Sequence, residues 1–197
     1  MKSGLILVSK SPRRHTLLKE AGFEFEVAQS LTKEKDLKTF DIEILKEISR
    51  TKALSVSGKS PLNSILISAD TVVVLDNKCL GKPKDENEAF QMLKDLSNRF
   101  HSVYTSITII NNKTKQELTE VLETKVYFRE LTDSEIIRYI KDFNPLDKAG
   151  AYGIQDFVEE DEINSPPPKS FIQKIEGDYE NVMGISTKLL KNMLNKI

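Results

Sequence analysis

Six residues near the amino terminus, Ser9-Lys10-Ser11-Pro12-Arg13-Arg14, follow directly on the apolar run Leu5-Ile6-Leu7-Val8. Ser11 followed by Pro12 reads as a helix start, with a side-chain oxygen at the N-cap and proline at the first helical position. The first turn of a helix carries partial positive charge, so each arginine placed there costs about 0.3–1 kcal/mol when exposed. The pattern makes sense around an anion, held by backbone N–H groups and by guanidinium forks suited to phosphate. The alternative is two solvated arginines on a surface helix. Ser9 and Ser11 have no evident base beside them, which makes them hydrogen-bond donors and cap rather than nucleophiles.

Asp70 is the second chemical clue. In the run Ile65–Leu75 it shares parity with Leu66, Val72 and Val74, so on one continuous strand its carboxylate lies on a largely apolar face. An ionised carboxylate there needs a cation, a metal or a raised pKa. A proton acceptor or a Mg²⁺ ligand meets that need; a strand end or bulge at Ala69–Thr71 would instead turn the group to water. Other positions speak less plainly. Gly81-Lys82-Pro83 precedes a helical pattern and could set an ammonium against a phosphate, but a turn explains it equally well. Lys52 falls in a helical pattern, where lysines are mostly solvated. Glu34, in Lys33-Glu34-Lys35-Asp36, reads as a surface charge run. The stretch from Asp147 to Gln155 carries two glycines, a tyrosine and a glutamine, suited to backbone bending near a ligand and to an amide that reads a base edge.

The whole chain narrows the classes. It has 197 residues, 29 Lys plus Arg against 30 Asp plus Glu, and a net charge of −1. With no global field toward nucleic acid or membrane, any anion site must be local. Cys79 is the only cysteine, which excludes an internal disulfide and fits a reducing compartment. No apolar run approaches the roughly 18 residues of a membrane span, and the amino terminus is too short of apolar residues for a signal peptide. The expectation is a soluble cytoplasmic protein. There is no phosphate-binding Gly-x-x-x-x-Gly-Lys-Ser/Thr and no Gly-x-Gly-x-x-Gly, and His15 and His101 lack the spacing of a zinc site or a triad.

The elements that must position these groups follow from periodicity. Strands are expected at Leu5–Val8, Phe23–Ala28, Ile65–Leu75, Val103–Ile110, Glu120–Phe128 and Phe171–Ile175. Helices are expected at Arg13–Ala21, Ile42–Val56, Glu86–Leu96, from Thr132 to about Lys141, and Ser186–Leu194. Thr132 with Glu135 forms a capping-box pattern. Asp76-Asn77 and Asn111-Asn112-Lys113 read as turns, and Asp156–Lys169, acidic with three prolines, as an exposed loop. The order predicts a mixed sheet covered by helices.

Taken together, these segments resemble the Maf family of nucleoside triphosphate pyrophosphatases. The matching residues are Ser9–Arg14 with Leu17-Leu18, Ser68-Ala69-Asp70-Thr71-Val72-Val73, Leu80–Asp85, Glu88-Ala89, Met92-Leu93, Leu96-Ser97, His101, Val103, Thr105, Asp147–Gln155, Ile175, Gly177-Asp178-Tyr179, Asn181-Val182 and Gly184. The resemblance spans nearly the whole chain and implies one domain over 1–197. It implies an elongated, twisted mixed α/β sheet like that of inosine-triphosphate pyrophosphatases, with a cleft between two lobes. It also implies hydrolysis of a nucleoside triphosphate between the α and β phosphates with a divalent metal, Mg²⁺ or Mn²⁺, and a homodimer. On it, Asp70 matches the proton acceptor. Arg13, Thr71 and Gln155 match positions tied to base choice; Ser9, Arg14, Lys52 and Lys82 match the phosphate surroundings; and Glu34 with Asp70 matches the metal position. The Ala-Asp-Thr and Ala-Tyr-Gly-Ile-Gln forms resemble the subgroup acting on dTTP and UTP. The rivals are a 7-methyl-GTP pyrophosphatase, disfavoured by Thr71 and Gln155, and a non-catalytic nucleotide-binding regulator of division. Asn98, Ile185-Ser186 and the long acidic loop after Gln155 depart from the family pattern.

Overall fold

The structure, a computed structural model, describes residues 4–32, 37–157 and 170–197. The chain begins with β1 (Gly4–Val8), α1 (Pro12–Glu20), β2 (Phe25–Ala28) and α2 (Ile42–Ser57). It continues through β3 (Ser64–Leu75), β4 (Lys78–Leu80), α3 (Glu86–Leu96), β5 (Phe100–Asn111), β6 (Glu117–Phe128) and α4 (Asp133–Phe143). Three short 3₁₀ turns, Pro145–Asp147, Ala149–Ala151 and Ile154–Phe157, precede β7 (Ile172–Glu176), α5 (Tyr179–Met183) and α6 (Thr187–Leu194). The seven strands form one sheet in the order β2-β1-β3-β5-β6-β7, with β4 added to the end of β3. β1 is parallel to both β2 and β3, and the other pairs are antiparallel. This is the mixed, helix-covered sheet that the element order predicts.

Local chemistry fixes the ends. Asp41 caps α2 by accepting from the Glu43 and Ile44 amides, and Thr132 with Glu135 completes the capping box of α4. Asp76 and Asn77 turn β3 into β4 with φ of 48° and 64°, the left-handed pair that a two-residue hairpin requires. Two sequence expectations change. Phe23 and Glu24 lie outside β2, and Val27, on this edge strand of the sheet, is 52% exposed. Ile44, an apolar residue within the helical period of Ile42–Val56, is exposed. The acidic loop falls mostly on residues 158–169, outside those described.

β3 and β5 divide their side chains between two faces. On one face Leu66 and Ile110 pack with Ala53 and Val56 of α2, while Ser68, Ser106 and Thr108 hydrogen-bond to Ser49 of the same helix. On the other face there are two hydrophobic clusters. One joins Ile67, Ala69, Ile107 and Ile109 to α1 and α6 through Leu17, Leu18, Leu190 and Met193. The second joins Val73 and Val103 to α3 and α4 through Leu93, Leu96, Ile136 and Tyr139. Thr71 and Thr105, paired across β3 and β5, sit between them and form a polar seam.

The second cluster encloses His101, which is 1% exposed and bonded through Nε2 to the Tyr152 hydroxyl at 2.7 Å. Phe128 and Tyr152 both meet its ring edge-on. Burial pushes the imidazole down to about 3, so the folded protein holds it neutral. The unfolded chain binds the proton below about pH 6.5 while the folded one does not. Stability is therefore full above about 6.5 and falls by about 1.4 kcal/mol per pH unit as pH drops toward 3. Urea unfolding at pH 7 and pH 5 is expected to show that loss in the wild type, with a shallower slope in His101→Asn; equal slopes would contradict it.

Candidate active site

The candidate residues collect around one stretch of β3. Its ladder with β5 is unbroken from Ile65↔Asn111 to Val74↔Ser102. On the opposite edge, pairing with β1 ends at Leu7↔Ile67 and pairing with β4 starts at Val73↔Leu80. The two ladders skip Ser68–Val72, leaving a window where β1 has ended and β4 has not begun. Asp70 and Thr71 lie in this window. As neighbours on a strand they point to opposite faces.

On the α2 face, Lys52 donates from Nζ to Asp70 Oδ1. Both side chains are largely covered, 13% and 19% exposed. The cation demanded by a carboxylate on that face is thus a lysine three turns into α2. Lys52 is not the solvated helix lysine its spacing suggests, because α2 lies across β3 and turns that lysine toward the window. No bulge rotates Asp70 to water: its register opposite Ser106 is regular.

On the other face, Arg14 reaches across from α1. Its Nε donates to the Gly184 carbonyl at 2.8 Å, one Nη to Thr71 Oγ1 at 3.0 Å, and the other weakly to Ser9 Oγ at 3.5 Å. Ser9 is buried and also accepts from the Ser11 amide at 3.1 Å, while the Ser9 carbonyl meets His15 Nε2 at 2.9 Å. Ser11 is the N-cap of α1 by position but its side chain makes no capping bond, and the first turn holds no acidic residue. The helix start thus keeps the arrangement that favours an anion.

A third group joins the start of α1 to the 3₁₀ turns. Arg13 pairs with Asp147 at 3.3 Å, and Lys148 with the same carboxylate at 2.9 Å. Burial raises the Asp147 pKa, but Lys148 and Arg13 outweigh it and hold the carboxyl below its usual value. Gln155 folds back over Gly153, where a Cβ would lie 2.6 Å from its Nε2, 2.8 Å from Asp156 Oδ2 and 2.9 Å from Lys148 Cε, so a larger residue would push these side-chain ends aside. Lys82 lies on the exposed turn after β4, tied to the same segment by the Gly150 amide donating to the Gly81 carbonyl at 3.1 Å.

The structure thus brings Lys52 to Asp70, Arg14 to both Ser9 and Thr71, and Arg13 and the Lys82 stretch to the segment 147–155, in which Gln155 lies. Glu34 lies outside the described residues. Among those described, no cluster of three or more His, Cys, Asp or Glu is poised for a metal, and no helix is long and apolar enough to cross a membrane. A surface concavity of about 650 Å³ lined by Phe40, Arg99, Ser102, Tyr104 and Tyr127 includes none of the candidate residues. Sequence reasoning gave no chemistry to Asp147, Thr105, Asn181 or Gly184, though each falls in a quoted segment. The contacts that bring them to the site join residues more than 30 apart.

The Lys52–Asp70 pair should be energetically coupled. Lys52→Met and Asp70→Asn are each expected to lower stability by about 1–3 kcal/mol, since each leaves a covered charge without its partner. The double variant is expected to lose less than the sum by about 0.5–3 kcal/mol. Additive losses in urea unfolding would contradict the pairing.

Comparison with known proteins adds an independent line. The family described as Maf-like protein matches residues 4–197. A protein of Thermoanaerobacter sp. (strain X514) named dTTP/UTP pyrophosphatase is 42% identical over 192 residues, 98% of this chain and 95% of that one. Proteins of the same name from Alkaliphilus oremlandii and Thermotoga maritima are 46% and 45% identical, over 92% and 91% of this chain and 89% and 82% of their own. A HAM1 protein from Coxiella burnetii superposes with a TM-score of 0.44 and 16% identity over 64% of this chain and 73% of that one, too remote to bear on function.

Proposed function

Since the chain belongs to the Maf-like protein family, we propose that it hydrolyses dTTP and UTP to the nucleoside monophosphate and pyrophosphate. The observation that carries this reading is the placing of Asp70 and Thr71 side by side in the β3 window. One bears a carboxylate held by Lys52, and the other touches a guanidinium anchored to the Gly184 carbonyl. That is a base beside an anion clamp. The names of the relatives, each covered over most of its length, supply the substrate class.

In this reading the triphosphate lies at the start of α1, where Arg14 and the backbone amides meet its oxygens, with Ser9 holding Arg14 and Lys82 adding charge. A water attacks the α phosphorus, Asp70 takes its proton, the bond from the α phosphorus to the bridging oxygen breaks, and pyrophosphate leaves. Lys52 orients the carboxylate. Arg13 and Gln155, both bound up with the segment 147–155, act on the choice of base.

A divalent metal fits Asp70 as a single hard-oxygen ligand, the donor type Mg²⁺ takes when substrate phosphates complete its shell. Asp70 and, by family resemblance, Glu34 would hold it. When bound it supplies neutralisation of charge on the phosphate oxygens.

Incubation with a nucleotide panel and Mg²⁺ or Mn²⁺ tests this. Monophosphate and pyrophosphate from dTTP and UTP are expected; orthophosphate would overturn the assignment. Asp70→Asn is expected to lose about 10²–10⁴-fold in turnover while still folding, as general-base loss does. Gln155→Ala is expected to change the ratio of kcat/KM between pyrimidine and other nucleotides more than the shared chemistry; an unchanged ratio would remove Gln155 from base choice.

A further inference from the structure

The polar seam contains a chain of hydrogen bonds with one consistent direction. Thr105 is fully buried, and its hydroxyl donates to the Asn181 carbonyl at 3.0 Å, an acceptor only. Its proton is therefore spent, and the 2.9 Å contact between the Thr105 and Thr71 hydroxyls must be donated by Thr71. Thr71 in turn accepts from Arg14 at 3.0 Å. The order runs from Arg14 Nη to Thr71 Oγ1 to Thr105 Oγ1 to the Asn181 carbonyl. Each bond polarises the next in a site shielded from water. A competing acceptor for Thr71, the Gly184 carbonyl, is longer at 3.4 Å and is the oxygen that Arg14 Nε already holds at 2.8 Å.

The far end is fixed. Asn181 is buried, and its amide donates to the Val103 carbonyl at 3.0 Å, Thr124 Oγ1 at 3.1 Å and the Leu122 carbonyl at 3.3 Å, spanning β5 and β6. Gly184 has φ of 122°, and a Cβ there would stand 3.2 Å from Arg14 Nε. The turn from Asn181 to Gly184 thus places two carbonyls, one for the guanidinium and one for the hydroxyl chain.

We infer that Thr105 is a positioning residue for Arg14, acting through Thr71. It follows that Thr71 acts on the phosphate clamp, with its proton committed to Thr105 and one lone pair to Arg14. The inference rests on the reading of Arg14 as a phosphate clamp. It adds a buried threonine on β5 to the machinery and gives Thr71 a task beside the base choice that its position in the family implies.

The test is Thr105→Val, which keeps the shape and removes the hydroxyl, beside Thr105→Ser, which restores it. In Thr105→Val the KM for dTTP and UTP is expected to rise about tenfold by the same factor, with kcat changing less. Affinity for inorganic pyrophosphate, a probe with no base, is expected to fall by that factor, and Thr105→Ser is expected to stay close to wild type. Unchanged KM, a change confined to one base, or an equal loss in Thr105→Ser would overturn the inference. Independently of activity, the Arg14 Nε–H resonance, identified by its loss in Arg14→Lys, is expected to shift or broaden in Thr105→Val; an unmoved signal overturns the positioning role. If wild-type protein hydrolyses no nucleotide, the functional reading fails, and this resonance still decides the inference. Should Thr105→Val not fold, Thr71→Val breaks the next link and carries the same expectations.

Discussion

β3 is paired without interruption on its β5 side and with a break on the other. That asymmetry governs everything at the site. Ten consecutive pairs with β5 hold the register from Ile65 to Val74, so no side chain in the stretch can rotate to the other face without breaking the ladder. On the far edge, β1 ends at Val8 because the chain turns at Ser9 into α1, and β4 pairs only from Val73. The break leaves Ser68–Val72 bordered by the start of a helix instead of a strand. A ligand that reaches this window meets both faces of the sheet at once: the Asp70–Lys52 pair on one side and the Arg14–Thr71 contact on the other. A continuous sheet would have kept these groups apart.

The same stretch interrupts the hydrophobic core. Two apolar clusters share one face of the sheet, and between them Thr71 and Thr105 occupy positions where aliphatic side chains would have merged the two. Buried polar groups are costly unless bonded, and here each hydroxyl has partners. Beneath α2 the corresponding positions are filled by Ser49, Ser68, Ser106 and Thr108, also mutually bonded. The polar character on both faces therefore follows the window along β3. It costs packing in the middle of the protein and in return fixes the groups that face the opening.

Much of this was legible in the residues. The charge conflict at Arg13 and Arg14 suits an anion at the helix start, and the parity of Asp70 on a continuous strand asks for a cation, a metal or a raised pKa. What periodicity does not reveal is which cation. Lys52 belongs to a helix of mixed polarity, and only the crossing of α2 over β3 turns it inward. The roles of Gly184, Asn181 and Thr105 were hidden for a related reason: a backbone carbonyl leaves no mark in the residue type, and a buried threonine on a strand reads as an ordinary β-former. Val27 is exposed on the edge strand β2; an apolar residue at a strand position does not tell whether a neighbour covers it. Family resemblance named Ser9, Arg14 and Thr71 separately; their joining through one guanidinium is a product of the fold.

In the proposed reaction Asp70, poised by Lys52 at the window, directs water to the α phosphorus. Hydrolysis of dTTP in ¹⁸O-labelled water, with mass analysis of both products after a single turnover, reads the site of attack. One labelled oxygen in the thymidine monophosphate and none in the pyrophosphate is expected. Label in the pyrophosphate would place the attack on the β phosphorus and contradict that reaction.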